Sequence, residues 1–158
     1  MTNAPASAKT RTPYDDFETD AELEVKGIKV DYDDYWFHLA RAGGANEAFA
    51  QRLNELTQPY KRAIETDSMS AKLSAKLTRQ AFTDTVLLGW GSKLHGEGKM
   101  LARDKSAIPF TKEAAMAYFE ELPDLMRDLL TTAQKGHLYR KELASADAKN
   151  SGSSSATS

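Results

Sequence analysis

The chain contains no cysteine. That excludes disulfides, cysteine-ligated zinc and thiol nucleophiles together, and it agrees with a cytoplasmic protein. No run of eighteen apolar residues occurs, so no transmembrane helix is expected. The segment Met1-Thr2-Asn3-Ala4-Pro5-Ala6-Ser7 lacks the apolar stretch of a secretory signal and the Met-Gly start of the myristoylation pattern. An excess of one charge is also missing: 21 Lys and Arg face 23 Asp and Glu, for a net charge of −2 and a pI near 5.9. Nucleic-acid binders usually show a basic stripe and a high pI. Here the cations are scattered and matched by acids, so neither nucleic acid nor a membrane is an expected partner.

Catalytic and cofactor patterns are missing too. His38, His95 and His137 stand apart, none at i, i+3 or i+4 from another histidine or a carboxylate in a metal-binding pattern such as H-E-x-x-H. The stretch Gly91-Ser92-Lys93-Leu94-His95-Gly96-Glu97-Gly98-Lys99 is glycine-rich, but a phosphate loop needs Lys and then Ser or Thr after its second glycine. Glu97 instead puts negative charge where a phosphate would sit. Asp31-Tyr32-Asp33-Asp34 fails the calcium-loop pattern, because Tyr35 and Trp36 occupy the next ligand and glycine positions. No G-x-S-x-G elbow is found. No catalytic residue, metal ligand or cofactor is expected, and the chain reads as a protein that is not an enzyme.

Apolar residues are concentrated in the middle of the 158-residue chain. Residues 1–20 are rich in Ala, Thr, Ser, Pro and acids and read as a flexible extension. Residues 21–145 read as a single helical domain with an N-terminal β-hairpin. Residues 146–158 read as a disordered Ser-rich tail. Within the domain, Leu23 and Val25 alternate with Glu22, Glu24 and Lys26, and Ile28 and Val30 alternate with Lys29 and Asp31, which predicts strand. Asp31-Tyr32-Asp33-Asp34 supplies a turn, and Tyr35–Ala40 a second, more buried strand. Asn46 is a candidate N-cap for a helix carrying Phe49, Leu53, Leu56, Tyr60 and Ile64, with Pro59 as a kink. A second helix is expected over 69–90, closed by Gly89-Trp90-Gly91. Thr111 is the expected N-cap of a third, and Pro123 fits position N1 of a last helix that runs towards Leu138 and Tyr139. The predicted fold class is mainly α: a bundle of about four helices with a two-stranded β-ribbon and disordered termini.

Large aromatic side chains are enriched at interface hot spots, which makes Trp36, Phe37, Trp90 and Phe110 the candidate protein-binding residues. Their plain alternative is core packing. The ribbon also offers sheet edges, which accept further strands.

A short ribbon leads into helices; Gly89-Trp90-Gly91 is followed by a glycine loop; Ile108-Pro109-Phe110-Thr111-Lys112-Glu113-Ala114 opens a helix; Leu122-Pro123-Asp124-Leu125 opens the last one; and Lys149-Asn150-Ser151 leads into a polar tail. Over about residues 21–151 this pattern resembles the tail assembly chaperones of long-tailed bacteriophages. The resemblance implies a non-enzymatic protein of the host cytoplasm that binds the tape measure protein, assists tail-tube assembly and has no catalytic residues. Partners would be the tape measure protein, the tail-tube protein or a second copy of the chain. The loop Lys93–Ser106 and the N-terminal extension depart from the pattern. They keep open a structural virion component of the tail or connector; a small phage regulator or anti-defence protein that binds a host factor is a further alternative.

Overall fold

A computed structural model describes residues 10–140 of the chain. The expectations for residues 1–9 and for the tail 146–158 lie outside the described residues. Thr12 caps a short helix α1 (Pro13–Phe17) through a capping box with Asp15, with Pro13 in the first turn. Asp20 then accepts hydrogen bonds from the Glu22 and Leu23 amides and caps α2 (Ala21–Lys26). This corrects the strand expected over 22–26. An aspartate cap before the segment and Gly27 after it (φ 89°) outweigh an alternation only two apolar residues long. The helix turns Val25 out to solvent and buries Glu24 instead.

The expected hairpin forms about the expected turn, its first strand confined to the second half of the predicted one. Strand β1 (Ile28–Asp31) pairs antiparallel with β2 (Tyr35–Leu39), joined by a turn in which Asp33 has a positive φ of 74°. Asp tolerates that conformation because its short side chain bonds locally. Helix α3 (Ala48–Thr57) continues through a 3₁₀ turn at Gln58–Tyr60, where Pro59 sits, into α4 (Lys61–Glu65). Ser70 caps α5 (Ala71–Thr85).

After α5 the chain departs most from expectation. Leu87–Ser92 is not the end of a helix but strand β3, paired along β2 so that Trp90 lies opposite Phe37 and Gly91 opposite Trp36. A continuous apolar run reads alike as buried helix or buried strand; Gly89 and Gly91 favour the strand, since glycine costs about 1 kcal/mol in a helix interior. Strands β4 (Gly96–Glu97), β5 (Lys99–Leu101) and β6 (Ala107–Pro109) follow within the segment expected to be loop. Thr111 does cap α6 (Lys112–Glu121), its side chain accepting from the Ala114 amide, and Pro123 does open α7 (Pro123–Ala133). A 3₁₀ turn at Gly136–Tyr139 replaces the expected end of that helix.

The result is an α/β mix and not a mainly α bundle. A four-stranded antiparallel sheet in the order β1-β2-β3-β4 is accompanied by a two-stranded β5–β6 ribbon. One sheet face carries Phe37, Leu39, Leu87 and Trp90 into the core, where they join Phe82 and Val86 near the end of α5, Ala115 and Phe119 of α6, Leu129 and Ala133 of α7, and Met100. Phe119 is the hub: its ring lies 6.0 Å from Phe37 and 5.6 Å from Phe82. Among the described residues, no helix is long and apolar enough to cross a membrane.

Candidate functional site

Of the four aromatic residues singled out by sequence, the structure places two wholly inside. Phe37 and Trp90 have no exposed surface. Trp90 donates its indole N–H to the Ile108 carbonyl at 3.1 Å, and Phe110 packs edge-on against it at 5.2 Å, half-buried. These three join β3 to the β5–β6 ribbon. Only Trp36 points the other way, because neighbours along a strand face opposite sides of the sheet.

The face that Trp36 occupies bears a small polar cluster. Trp36 lies flat on Gly91, where a Cβ would fall within 2.5 Å of the indole. Its Nε1 donates to Glu97 at 2.9 Å, and the other Glu97 oxygen is 2.6 Å from His38 Nε2. The Lys29 ammonium sits 4.2 Å above the Trp36 ring, a cation–π arrangement. Strands β1, β2 and β4 thus each supply a side chain, and β3 supplies glycine to make room. Nothing local in the sequence marks Lys29 or Glu97: Lys29 reads as an exposed strand position and Glu97 falls in a glycine-rich stretch that reads as loop. The signal that marks them is the cross-strand pairing, visible only once β3 is a strand. Glu97 is held by two donors and His38 by Glu97, so the cluster is a fastening between β2 and β4. His95 bonds the Lys105 carbonyl at 2.7 Å within the neighbouring loop, and His137 is exposed on the last turn. Among the described residues no three His, Cys, Asp or Glu side chains are grouped to hold a metal.

The second surface is on the helices. Neither α3 nor α4 buries a residue completely, although Phe49, Leu53, Leu56, Tyr60 and Ile64 recur at helical spacing along them. Phe49 packs on the core. Farther along, Leu53, Thr57, Ile64, Asp67, Met69, Ser74 and Thr78 line an open groove of about 300 Å³ between α3, α4 and the first turns of α5. A second hollow of about 390 Å³ adjoins it at Thr57 and Ile64. Ile64 remains 47% exposed and Tyr60 36%. Arg52 donates to Asp84 at 2.9 Å and ties α3 to the far end of α5, while the groove lies beside the first turns of α5.

The fold is a mixed α/β one with an open groove between its helices, and among the described residues no metal-ligand cluster is present. Residues 44–150, more than half of the chain, match the family described as YdaY prophage protein. The chain belongs to that family and so to a phage-derived lineage. The match includes α3, α4 and α5, β3 and the β5–β6 ribbon and begins after the β1–β2 hairpin. No curated protein and no solved structure matches the chain.

Proposed function

We propose that the chain is a non-enzymatic phage tail assembly chaperone, which binds amphipathic helices of the tape measure protein in the host cytoplasm and keeps them apart until the tail tube closes round them. The observation that carries this reading is the groove at α3, α4 and α5. Its apolar floor of Leu53, Ile64 and Met69, with Thr57, Asp67, Ser74 and Thr78 around it, suits an amphipathic helix that offers side chains at i, i+3, i+4 and i+7. A tape measure chain carries long helices of that kind, whose apolar stripes would otherwise associate. Membership of a phage-derived family agrees with this.

The test is co-expression with the tape measure protein. The expected result is a soluble complex, and an insoluble tape measure protein when this chain is left out. Ile64→Asp, at an exposed position, should abolish the rescue while leaving the melting temperature within about 2 °C. Equal solubility of the tape measure protein with and without this chain would overturn the proposal. Recovery of the chain at fixed stoichiometry from finished particles would favour a structural component, and capture of a bacterial enzyme instead would favour a regulator.

A further inference from the structure

We infer that the chain forms a two-fold symmetric dimer by pairing strand β1 with β1 of a second copy, which would merge two four-stranded sheets into one of eight. This rests on the sheet edge and is independent of the helical groove.

The edge is open. β1 is the terminal strand of the sheet, with β2 on one side. The hairpin register decides which of its backbone groups face outward. The Tyr32 amide donates to the Tyr35 carbonyl at 2.8 Å, and pairing continues without a shift through Asp31–Trp36, Val30–Phe37, Lys29–His38 and Ile28–Leu39. Backbone groups in an antiparallel ladder alternate in direction. Tyr32, Val30 and Ile28 therefore bond to β2, while the N–H and C=O groups of Lys29 and Asp31 point away from the sheet. Among the described residues no hydrogen bond reaches them.

The strand is complementary to itself in charge. Antiparallel pairing with a second β1 about an axis at Val30 puts Lys29 opposite Asp31 of the other copy, and Asp31 opposite its Lys29. Those two residues are the ones whose backbone groups face outward, so each pair exchanges both of its main-chain hydrogen bonds. Their side chains share the sheet face that carries Trp36, where directly opposite residues interact and unlike charges stabilise. On the other face Val30 meets Val30, and Ile28 meets Tyr32. Every contact is returned by its symmetry mate, as an isologous interface requires. Any register that shifts the strands by two residues breaks both ion pairs. A lone charged residue on a short edge strand usually repels a second strand; here the pair of signs selects one partner strand in one register. A ladder of this length covers a small area, which places the dimer among weak, reversible contacts.

The experiment is sedimentation velocity of the full chain from micromolar to millimolar concentration, with amide hydrogen exchange followed at Lys29 and Asp31. The expected result is a monomer–dimer equilibrium in which those two amides exchange more slowly as concentration rises. Lys29→Asp, which sets each new aspartate opposite Asp31 of the other copy, should weaken the dimer by about tenfold or more. Asp31→Lys should do the same with two facing lysines. The double variant Lys29→Asp/Asp31→Lys restores opposite charges at both pairs and should recover the dimer. A wild-type chain that stays monomeric across the range would overturn the inference. So would a dimer whose Lys29 and Asp31 amides exchange at a rate independent of concentration, or a folded double variant that dimerises no better than the single ones. Because the exchange readout uses the wild-type chain, it decides the matter even if Asp31→Lys disturbs the turn, where Asp31 accepts from the Asp33 amide at 2.8 Å.

Discussion

Gly91 and Gly89 sit two residues apart on the same strand and on the same face, yet they meet different neighbours. A Cβ on Gly91 would fall 2.5 Å from the Trp36 ring, whereas one on Gly89 would lie 3.5 Å from the His38 ring, an ordinary contact. Gly91→Ala must lift the indole off the sheet, and with it the bond to Glu97 and the Lys29 contact. A loss of about 1–3 kcal/mol is expected, together with a red shift in tryptophan fluorescence, since Trp90 stays buried and reports no change. Gly89→Ala should be close to neutral in the same denaturation series. A second residue-scale prediction concerns the tyrosines. Tyr139 is fully buried and donates its hydroxyl to the Leu39 carbonyl at 3.1 Å; burial raises its pKa well above the ordinary 10.0. Burial also raises that of Tyr32, aided by its hydrogen bond to Asp128 at 2.6 Å. A folded-state pKa above the unfolded value means that the proton is held more tightly in the native state. The stability is then fully present below pH 10 and is lost as pH climbs from there towards the native value. Urea denaturation at successive pH values should give a flat curve up to about pH 10 and a steep fall beyond it. Tyr139→Phe should cost about 1 kcal/mol at neutral pH and make the alkaline fall shallower. An equally steep fall in that variant would mean that other groups drive it.

Helix α2 depends on one buried acid. Glu24 is 1% exposed; its carboxylate accepts from Arg41 Nη1 at 3.2 Å and from the Ala45 amide at 3.1 Å. Its carbonyl accepts from the Arg41 amide at 2.8 Å and from the Asn46 side chain at 3.2 Å. One residue thus ties α2 to the loop that leads into α3. Removing one partner of a buried ion pair leaves the other charge uncompensated, so Glu24→Ala should cost about 3 kcal/mol, whereas Glu24→Gln, which keeps an acceptor for the Ala45 amide, should cost about half that. Equal losses in thermal melts of the two variants would show that packing, not charge, is what Glu24 provides. Elements marked by chemistry at their ends were legible in the sequence. Thr111 caps α6, Pro123 starts α7, and the Asp31–Asp34 turn closes the hairpin, each because a local bond or a fixed φ favours one conformation whatever surrounds it. Elements defined by distant partners were not. Nothing within Leu87–Ser92 says that Phe37 and Leu39 lie alongside, and nothing within Glu22–Lys26 says that Arg41 waits for Glu24.

At the scale of the whole molecule the same division separates the two candidate surfaces. The helical spacing of Leu53, Leu56, Tyr60 and Ile64 was readable, and with it an apolar stripe; that the stripe stays half open depends on where α5 lies. Aromatic residues were readable as such, but strand parity decides that Trp36 faces out while Phe37 and Trp90 form core. The arrangement also divides the fold by stability. The sheet's inner face, α6, α7 and the end of α5 hold most of the buried core, whereas α3, α4 and the first turn of α5 hold no side chain that is fully buried. Segments with few buried apolar contacts open locally at a fraction of the global unfolding free energy. Native-state hydrogen exchange should therefore find amides of residues 54–57 and 63–65 released by local opening, nearly independent of denaturant, while those of Phe37, Trp90 and Phe119 exchange only with global unfolding. A helix seated in the groove covers Leu53, Ile64 and Met69 and should slow the first set without changing the rank of the second. If α3 and α4 exchange as slowly as the sheet in the free chain, the groove is already a closed part of the core, and a partner helix would have to enter elsewhere.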